Sequence, residues 1–185
     1  MGVIQKIYLF IMDMAQTILL AASVFLVIYL FFFRPYQVNG HSMDPTFSDQ
    51  EYVFTDIITK RFTQFQPGDV VVFKAPIDTS KDFIKRIIGI PGDKIVLKNG
   101  DVYRNGKKID QSYLPEDVRT YGGAFLHEGE EVIVPQDEYL VMGDNRGNSS
   151  DSREWGFVPT DDMIGKSLFV YWPVNHARVI RNTYQ

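Results

Sequence analysis

Gly68-Asp-Val-Val-Val-Phe73 and Phe83-Ile-Lys-Arg-Ile-Ile-Gly-Ile-Pro-Gly-Asp93 are the stretches that decide the fold class. Each is a short apolar run of β-branched and aromatic residues bounded by Gly, Pro and Asp, which reads as a strand between turns. Working outward, Lys94 to Lys98, Glu131 to Val134, Tyr139 to Met142 and Ser167 to Trp172 read the same way. Pro67-Gly68-Asp69 and Pro91-Gly92-Asp93 punctuate them. Asn99-Gly100 and Asn105-Gly106 flank Asp101 to Arg104 and predict a tight three-strand meander from Lys94 to Ile109. No long helical period follows residue 34, so this part of the chain is expected to be mainly β.

The N-terminal end has a different character. Met14 to Phe33 is a run of 20 residues without a charge. As a helix it spans about 30 Å, the thickness of a bilayer hydrocarbon core. The apolar stretch from Ile7 to Met12 allows an earlier start, with Asp13 near the interface, and Arg34-Pro35 closes the run. It is apolar all round and too long for a cleaved signal, so it reads as an uncleaved transmembrane anchor. Lys6 and Arg34 offset each other, and charge alone assigns no orientation. The expected division is an anchor over 1–34, a catalytic β core over 35–93 and 138–185, and an inserted β subdomain over 94–137.

Composition narrows the function. The chain has 185 residues, 45% of them hydrophobic, and a formal net charge of −4. Lys and Arg are scattered, so no basic stripe for nucleic acid appears. The absence of cysteine excludes disulfides, a catalytic thiol and Cys-ligated zinc. The three histidines have no metal-site spacing, so no metal and no cofactor are expected.

Three segments could carry chemistry. Asn39-Gly-His-Ser-Met-Asp-Pro-Thr46 follows the anchor closely and offers Ser42 as a nucleophile, beside the plainer reading of a hydroxyl in a turn. A serine needs a base. His41 is adjacent, but neighbours on an extended chain point to opposite faces. A lysine serves as base only when burial holds it neutral. Lys74 and Lys85 both stand in strand-like apolar runs, and the residues alone do not separate them. The third segment, Gly143-Asp-Asn-Arg-Gly-Asn-Ser-Ser-Asp-Ser-Arg153, reads as a polar loop whose alternating Asp and Arg form ion pairs within the turn.

Taken in order, the anchor, Ser42-Met-Asp-Pro-Thr46, Gly68 to Phe73, Lys85 to Asp93, Gly143 to Arg146 and Ser149 to Arg153 resemble the type I signal peptidases, the serine-lysine proteases of bacterial secretion. The resemblance implies a β-rich protease core with a smaller inserted β subdomain. It implies Ser42 as nucleophile, Lys85 rather than Lys74 as general base, and Ser149 as the serine that orients the lysine. Asp144, Arg146, Asp151 and Arg153 match the supporting polar loop. Tyr36 to Gly40 and Phe83 to Lys85 match the segments that bind a signal peptide as an extended strand, with Val38, Met43, Phe47 and Ile84 lining shallow pockets for small residues. Gly40 stands where some members carry a serine of the oxyanion hole, which leaves backbone N–H groups, chiefly that of Ser42, for that task. The implied setting is the bacterial cytoplasmic membrane, crossed once, with the catalytic part on its extracytoplasmic face. The implied partners are signal peptides and lipid, and a monomer is expected. The rival readings are a related peptidase for another exported substrate and a non-catalytic membrane-anchored binding module.

Overall fold

The computed structural model describes residues 2–182. Helix α1 spans Val3–Phe32. Its most apolar part, Val3–Val27, has a mean hydropathy of 2.0 and none of it is buried in the protein. By length and composition this helix can cross a membrane. It starts before the predicted Met14 because Lys6 and Asp13 are tolerated in a helix whose backbone bonds continue through them. At its other end it passes without a linker into β1, Phe33–Gln37.

The remainder is mainly β, as expected. Strands β1, β2 (Tyr52–Asp56), β3 (Val70–Ala75), β4 (Asp78–Gly89), β9 (Glu138–Met142), β10 (Val158–Pro159) and β11 (Met163–Trp172) form one sheet in the order β1-β2-β11-β3-β4-β9-β10. A short β12, Arg178–Val179, pairs with β11. The second sheet holds β5 (Lys94–Lys98), β6 (Asp101–Arg104), β7 (Lys107–Lys108) and β8 (Glu131–Ile133) in the order β7-β6-β5-β8. Its two hairpins turn at Asn99-Gly100 and Asn105-Gly106, where both residues of each pair have positive φ. That conformation matches the twist of the flanking strands and is why Asn-Gly sits there.

Three apolar clusters fill the interior. Val71, Phe73, Ile87 and Val141 meet in one, and Val38, Met43, Phe47, Val53, Val70 and Val170 in another. Strand β3 feeds both, and its continuous apolar run follows from burial on its two faces. In the third, Ile88, Leu140 and Met142 of the large sheet join Ile95, Leu97 and Val102 of the small one. The small sheet therefore packs on the large one through a shared core.

Every pairing along β1-β2-β11-β3-β4 is antiparallel, so β1 and β4 run in the same direction. Strand β9 pairs β4 only from Arg86 onward. The edge of β4 before that point is open, and so is the outer edge of β1. These two open edges frame the site.

Candidate active site

Ser42 lies in the turn between Val38 and Phe47, whose buried side chains anchor it at both ends. Gly40 enters the turn with φ +90°, which favours glycine, and its N–H donates to Asp49 Oδ1 at 2.7 Å. Lys85 comes from β4 and is only 4% exposed. Its Nζ donates to Ser42 Oγ at 2.8 Å and to the Ile84 carbonyl at 3.0 Å. The Phe83 ring lies 5.2 Å from the nitrogen. Burial lowers the Lys85 pKa to about 8, against the pull of Asp151 and then Asp144, which favour the ammonium. Lys74, the other lysine in an apolar run, is exposed and stands opposite Asp82.

The polar loop after β9 holds the serine's turn from behind. Asn145 donates from its backbone N–H to the Ser42 carbonyl at 3.1 Å and from Nδ2 to the His41 carbonyl at 2.9 Å. A Cβ on Gly143 would lie 2.4 Å from the Ser42 carbonyl oxygen and 2.1 Å from Ser149 Oγ, so the close approach requires glycine. Ser149 Oγ is buried there without a hydrogen-bond partner among the described residues, so the expected orienting bond to Lys85 is not made, and the polar partners of Lys85 Nζ are Ser42 and Ile84. His41 turns its ring to Asp44 at 3.1 Å and is largely exposed.

The expected ion pairs within the loop are half realised. Asp151 caps the short helix α2, Ser152–Trp155, and pairs with Arg153 at 2.8 Å. Asp144 instead faces Arg86 of β4, which grips it through Nε at 2.9 Å and Nη2 at 2.7 Å. Arg86 neighbours the buried lysine in sequence, and its Nη1 also donates to the Gly68 carbonyl. Arg146 pairs with no carboxylate among the described residues.

A cleft runs between β1 and β4. Its walls include Tyr36, Val38, Ser42, Phe83, Ile84 and Lys85, joined by Val53, Val72, Asp82 and Ser150. Two expected lining residues are elsewhere. Met43 and Phe47 are fully buried under the serine's turn, because a turn with apolar residues at both ends closes onto the core. Gly40 is not among the lining residues. Val72 enters because it stands opposite Ile84 in the ladder, and Val53 because it stands opposite Tyr36. The sequence alone gives no register from which to find them. Burial raises the Tyr36 phenol above its usual range, with Arg34 and Asp82 acting on it in opposite directions.

A clamp from the C-terminal segment completes the serine's turn. Glu51 is 2% exposed and receives Arg178 through Nη1 at 2.8 Å and Nη2 at 2.6 Å, with His176 Nδ1 at 3.0 Å. Arg178 also donates to the Thr46 carbonyl at 2.6 Å. Arg178→Met leaves a buried carboxylate without its main partner. It is expected to lower stability by about 2–3 kcal/mol, the modest end for a broken buried pair because Arg178 is itself partly exposed. Urea unfolding of the parent and the variant checks this.

A hydroxyl hydrogen-bonded to a desolvated lysine in the wall of an open cleft defines a class, a serine hydrolase of mainly β fold. The comparisons with known proteins narrow it. The family model described as "Signal peptidase, peptidase S26" matches residues 11–172, and the chain belongs to that family. The chain is 38% identical to signal peptidase I of Bacillus amyloliquefaciens over 172 residues, which cover 91% of each chain. It is 36% identical to signal peptidase IB of Staphylococcus aureus over 180 residues, 90% of this chain and 93% of that one. A solved signal peptidase I of Enterococcus faecalis V583 is similar over 56% of this chain and 97% of that one, with a TM-score of 0.46 and 24% identity.

Proposed function

We propose that this enzyme removes signal peptides from exported preproteins, cutting after small residues, with Ser42 as nucleophile and Lys85 as general base. The observation that carries the reading is the 2.8 Å contact between Lys85 Nζ and Ser42 Oγ, made by a lysine whose burial favours its neutral form. Neutral Lys85 takes the hydroxyl proton as Ser42 Oγ attacks the scissile carbonyl carbon. The Ser42 N–H, which donates to no other group among the described residues, stabilises the oxyanion. The lysine ammonium then gives its proton to the leaving amine, and the peptide bond breaks to leave an ester on Ser42. A water, losing its proton to Lys85, attacks the ester, and Lys85 passes that proton to Ser42 Oγ as the acid departs. The pairs Asp144–Arg86 and Asp151–Arg153 hold the site in shape, and no cofactor takes part.

The substrate binds as an extended chain in the cleft between the open edges of β1 and β4. Tyr36, Val38, Phe83 and Ile84, with Val53 and Val72, leave room for small side chains. The helix α1 crosses the bacterial cytoplasmic membrane once, the β region lies on the extracytoplasmic face, and the enzyme acts as a monomer. The direct passage from α1 to β1 supports a cleft close to the lipid surface. So does the aromatic group at the junction, where Phe54 packs against Tyr29, Phe33 and Tyr171. The experiment is cleavage of a preprotein by purified protein in detergent. Ser42→Ala is expected to lose cleavage while keeping the parent's circular dichroism and a cooperative melt within a few degrees of it, since it gives up one hydrogen bond to Lys85. A folded Ser42→Ala protein that still cuts would end this reading.

A further inference from the structure

The charged side chains in the cleft wall are Lys85, beside Ser42, and Asp82, three residues earlier on β4. Asp82 is exposed and forms no ion pair among the described residues. The lysines beside it do not neutralise it. Lys74, its partner in the ladder, makes no ion pair with it, and Lys81 is taken by Asp78 at 2.8 Å. Across the cleft, the Tyr36 hydroxyl of β1 interacts with the Asp82 carboxylate, as it does with Arg34 on its own strand. Arg34 itself forms no ion pair with Asp82. The cleft therefore ends, on the side away from Ser42, in a carboxylate and a phenol that face each other from its two walls.

Strand alternation fixes where this end lies relative to the pockets for small residues. Asp82 and Ile84 stand on one face of β4, with Lys74 and Val72 as their partners on β3. Two residues of an extended strand span roughly 6.5–7 Å. A substrate chain extended alongside has the same repeat, so the side chains that meet Ile84 and Asp82 are two residues apart. Strands β1 and β4 run in the same direction, from the α1 end of the cleft towards Ser42 and Lys85. The part of the substrate before the cut lies along them, which puts Asp82 upstream of the small residues. With the first and third residues before the cut in the pockets, the fifth reaches Asp82, and the second and fourth point away.

We propose that Asp82, with the Tyr36 hydroxyl beside it, forms an acidic outer subsite that favours substrates with a lysine or arginine at the fifth residue before the cut. The rest of the wall cannot make this distinction. Val38, Val53, Val72 and Ile84 read size and apolar character, and the open backbone edges accept any sequence. A basic side chain at the outer end meets a carboxylate that no other cation holds, and its aliphatic stem lies along the Tyr36 ring. An acidic side chain there meets a like charge.

The inference rests on the proposed cleavage of signal peptides, which fails by a separate result, retained cleavage in Ser42→Ala. The test uses the full chain in a neutral detergent at low ionic strength. The substrates are signal peptides identical except for Lys or Glu at the fifth residue before the cut. The quantity read is the ratio of kcat/KM for Lys over Glu in the parent, Asp82→Asn and Asp82→Lys, and a ratio within one protein cancels any general loss of activity. The parent is expected to favour Lys about 3- to 10-fold, mostly through KM, the range of an exposed attraction and an exposed repulsion combined. Added salt is expected to shrink that preference, because both partners are solvated. Asp82→Asn is expected to bring the ratio near one, and Asp82→Lys to invert it. The same exchange at the fourth residue is expected to leave the ratio near one in all three proteins. A parental ratio near one, a ratio that Asp82→Lys leaves unchanged, or a preference that appears at the fourth residue instead of the fifth overturns the proposal.

Discussion

Lys85→Arg will abolish cleavage, by at least about 10³-fold, while Lys74→Arg will keep most of the parental rate. A guanidinium keeps its proton at any working pH and cannot accept the one on Ser42. The difference between the two positions is one of packing. Lys85 stands opposite Val71 in the ladder, and its amine is enclosed against Ser42 and Phe83. Lys74 stands three residues further along β3, opposite Asp82, and is solvated. Initial rates on a preprotein, with circular dichroism to confirm folding, give the comparison. Equal losses at both positions would remove the case for Lys85 as the base.

That contrast marks where local sequence stops being informative. The strand character of Val70 to Phe73 and the turns at both Asn-Gly pairs are legible because each is set by a few neighbouring residues. Strand β1 is not, since Phe33 is the last residue of the apolar run of α1 and Arg34-Pro35 directly after it reads as the end of an element rather than as a strand. A proline is tolerated there because β1 is an edge strand, a fact of topology. The identity of the buried lysine is equally non-local. It depends on which face of β4 the serine's turn covers, and that contact joins residues 43 positions apart.

The polar loop shows the same limit. Alternating Asp and Arg correctly point to ion pairs, and Asp151–Arg153 forms within the loop. Asp144 nonetheless takes its partner from β4, 58 residues away, because the buried Arg86 of that strand reaches both of its carboxylate oxygens. Asn145 is legible as part of a polar motif, but its grip on the Ser42 and His41 carbonyls depends on the close approach at Gly143. Met43 and Phe47 flank the serine in sequence as pocket residues would, yet both close onto the core. Distance along the chain from Ser42 is a poor guide to contact with the cleft.

The lowered pKa of Lys85 ties activity to stability with opposite consequences. With Lys85 as the proposed base, activity requires the neutral amine, so kcat/KM should rise with unit slope through about pH 8 and level off above it. A histidine base would give a limb near 6.5 instead. For stability the sign follows from proton counts. The unfolded lysine titrates near 10.5 and the folded one near 8, so between these values the unfolded state binds more protons. Stability therefore rises with pH across that window, and below it the folded protein carries the full penalty of a desolvated ammonium. The gap corresponds to about 3 kcal/mol. Lys85→Met removes the charge and fills the apolar space, while the Ser42 hydroxyl loses a hydrogen bond worth about 1 kcal/mol. The variant should be inactive and, at pH 6.5, more stable than the parent by about 2 kcal/mol. Above pH 10.5 the parent is relieved of its penalty and the advantage should vanish. Urea unfolding at both pH values, with the full chain in detergent, measures this. A Lys85→Met protein that is less stable than the parent by the same amount at both would mean that burial places no strain on the amine, and the physical reason for a neutral lysine at the serine would be gone.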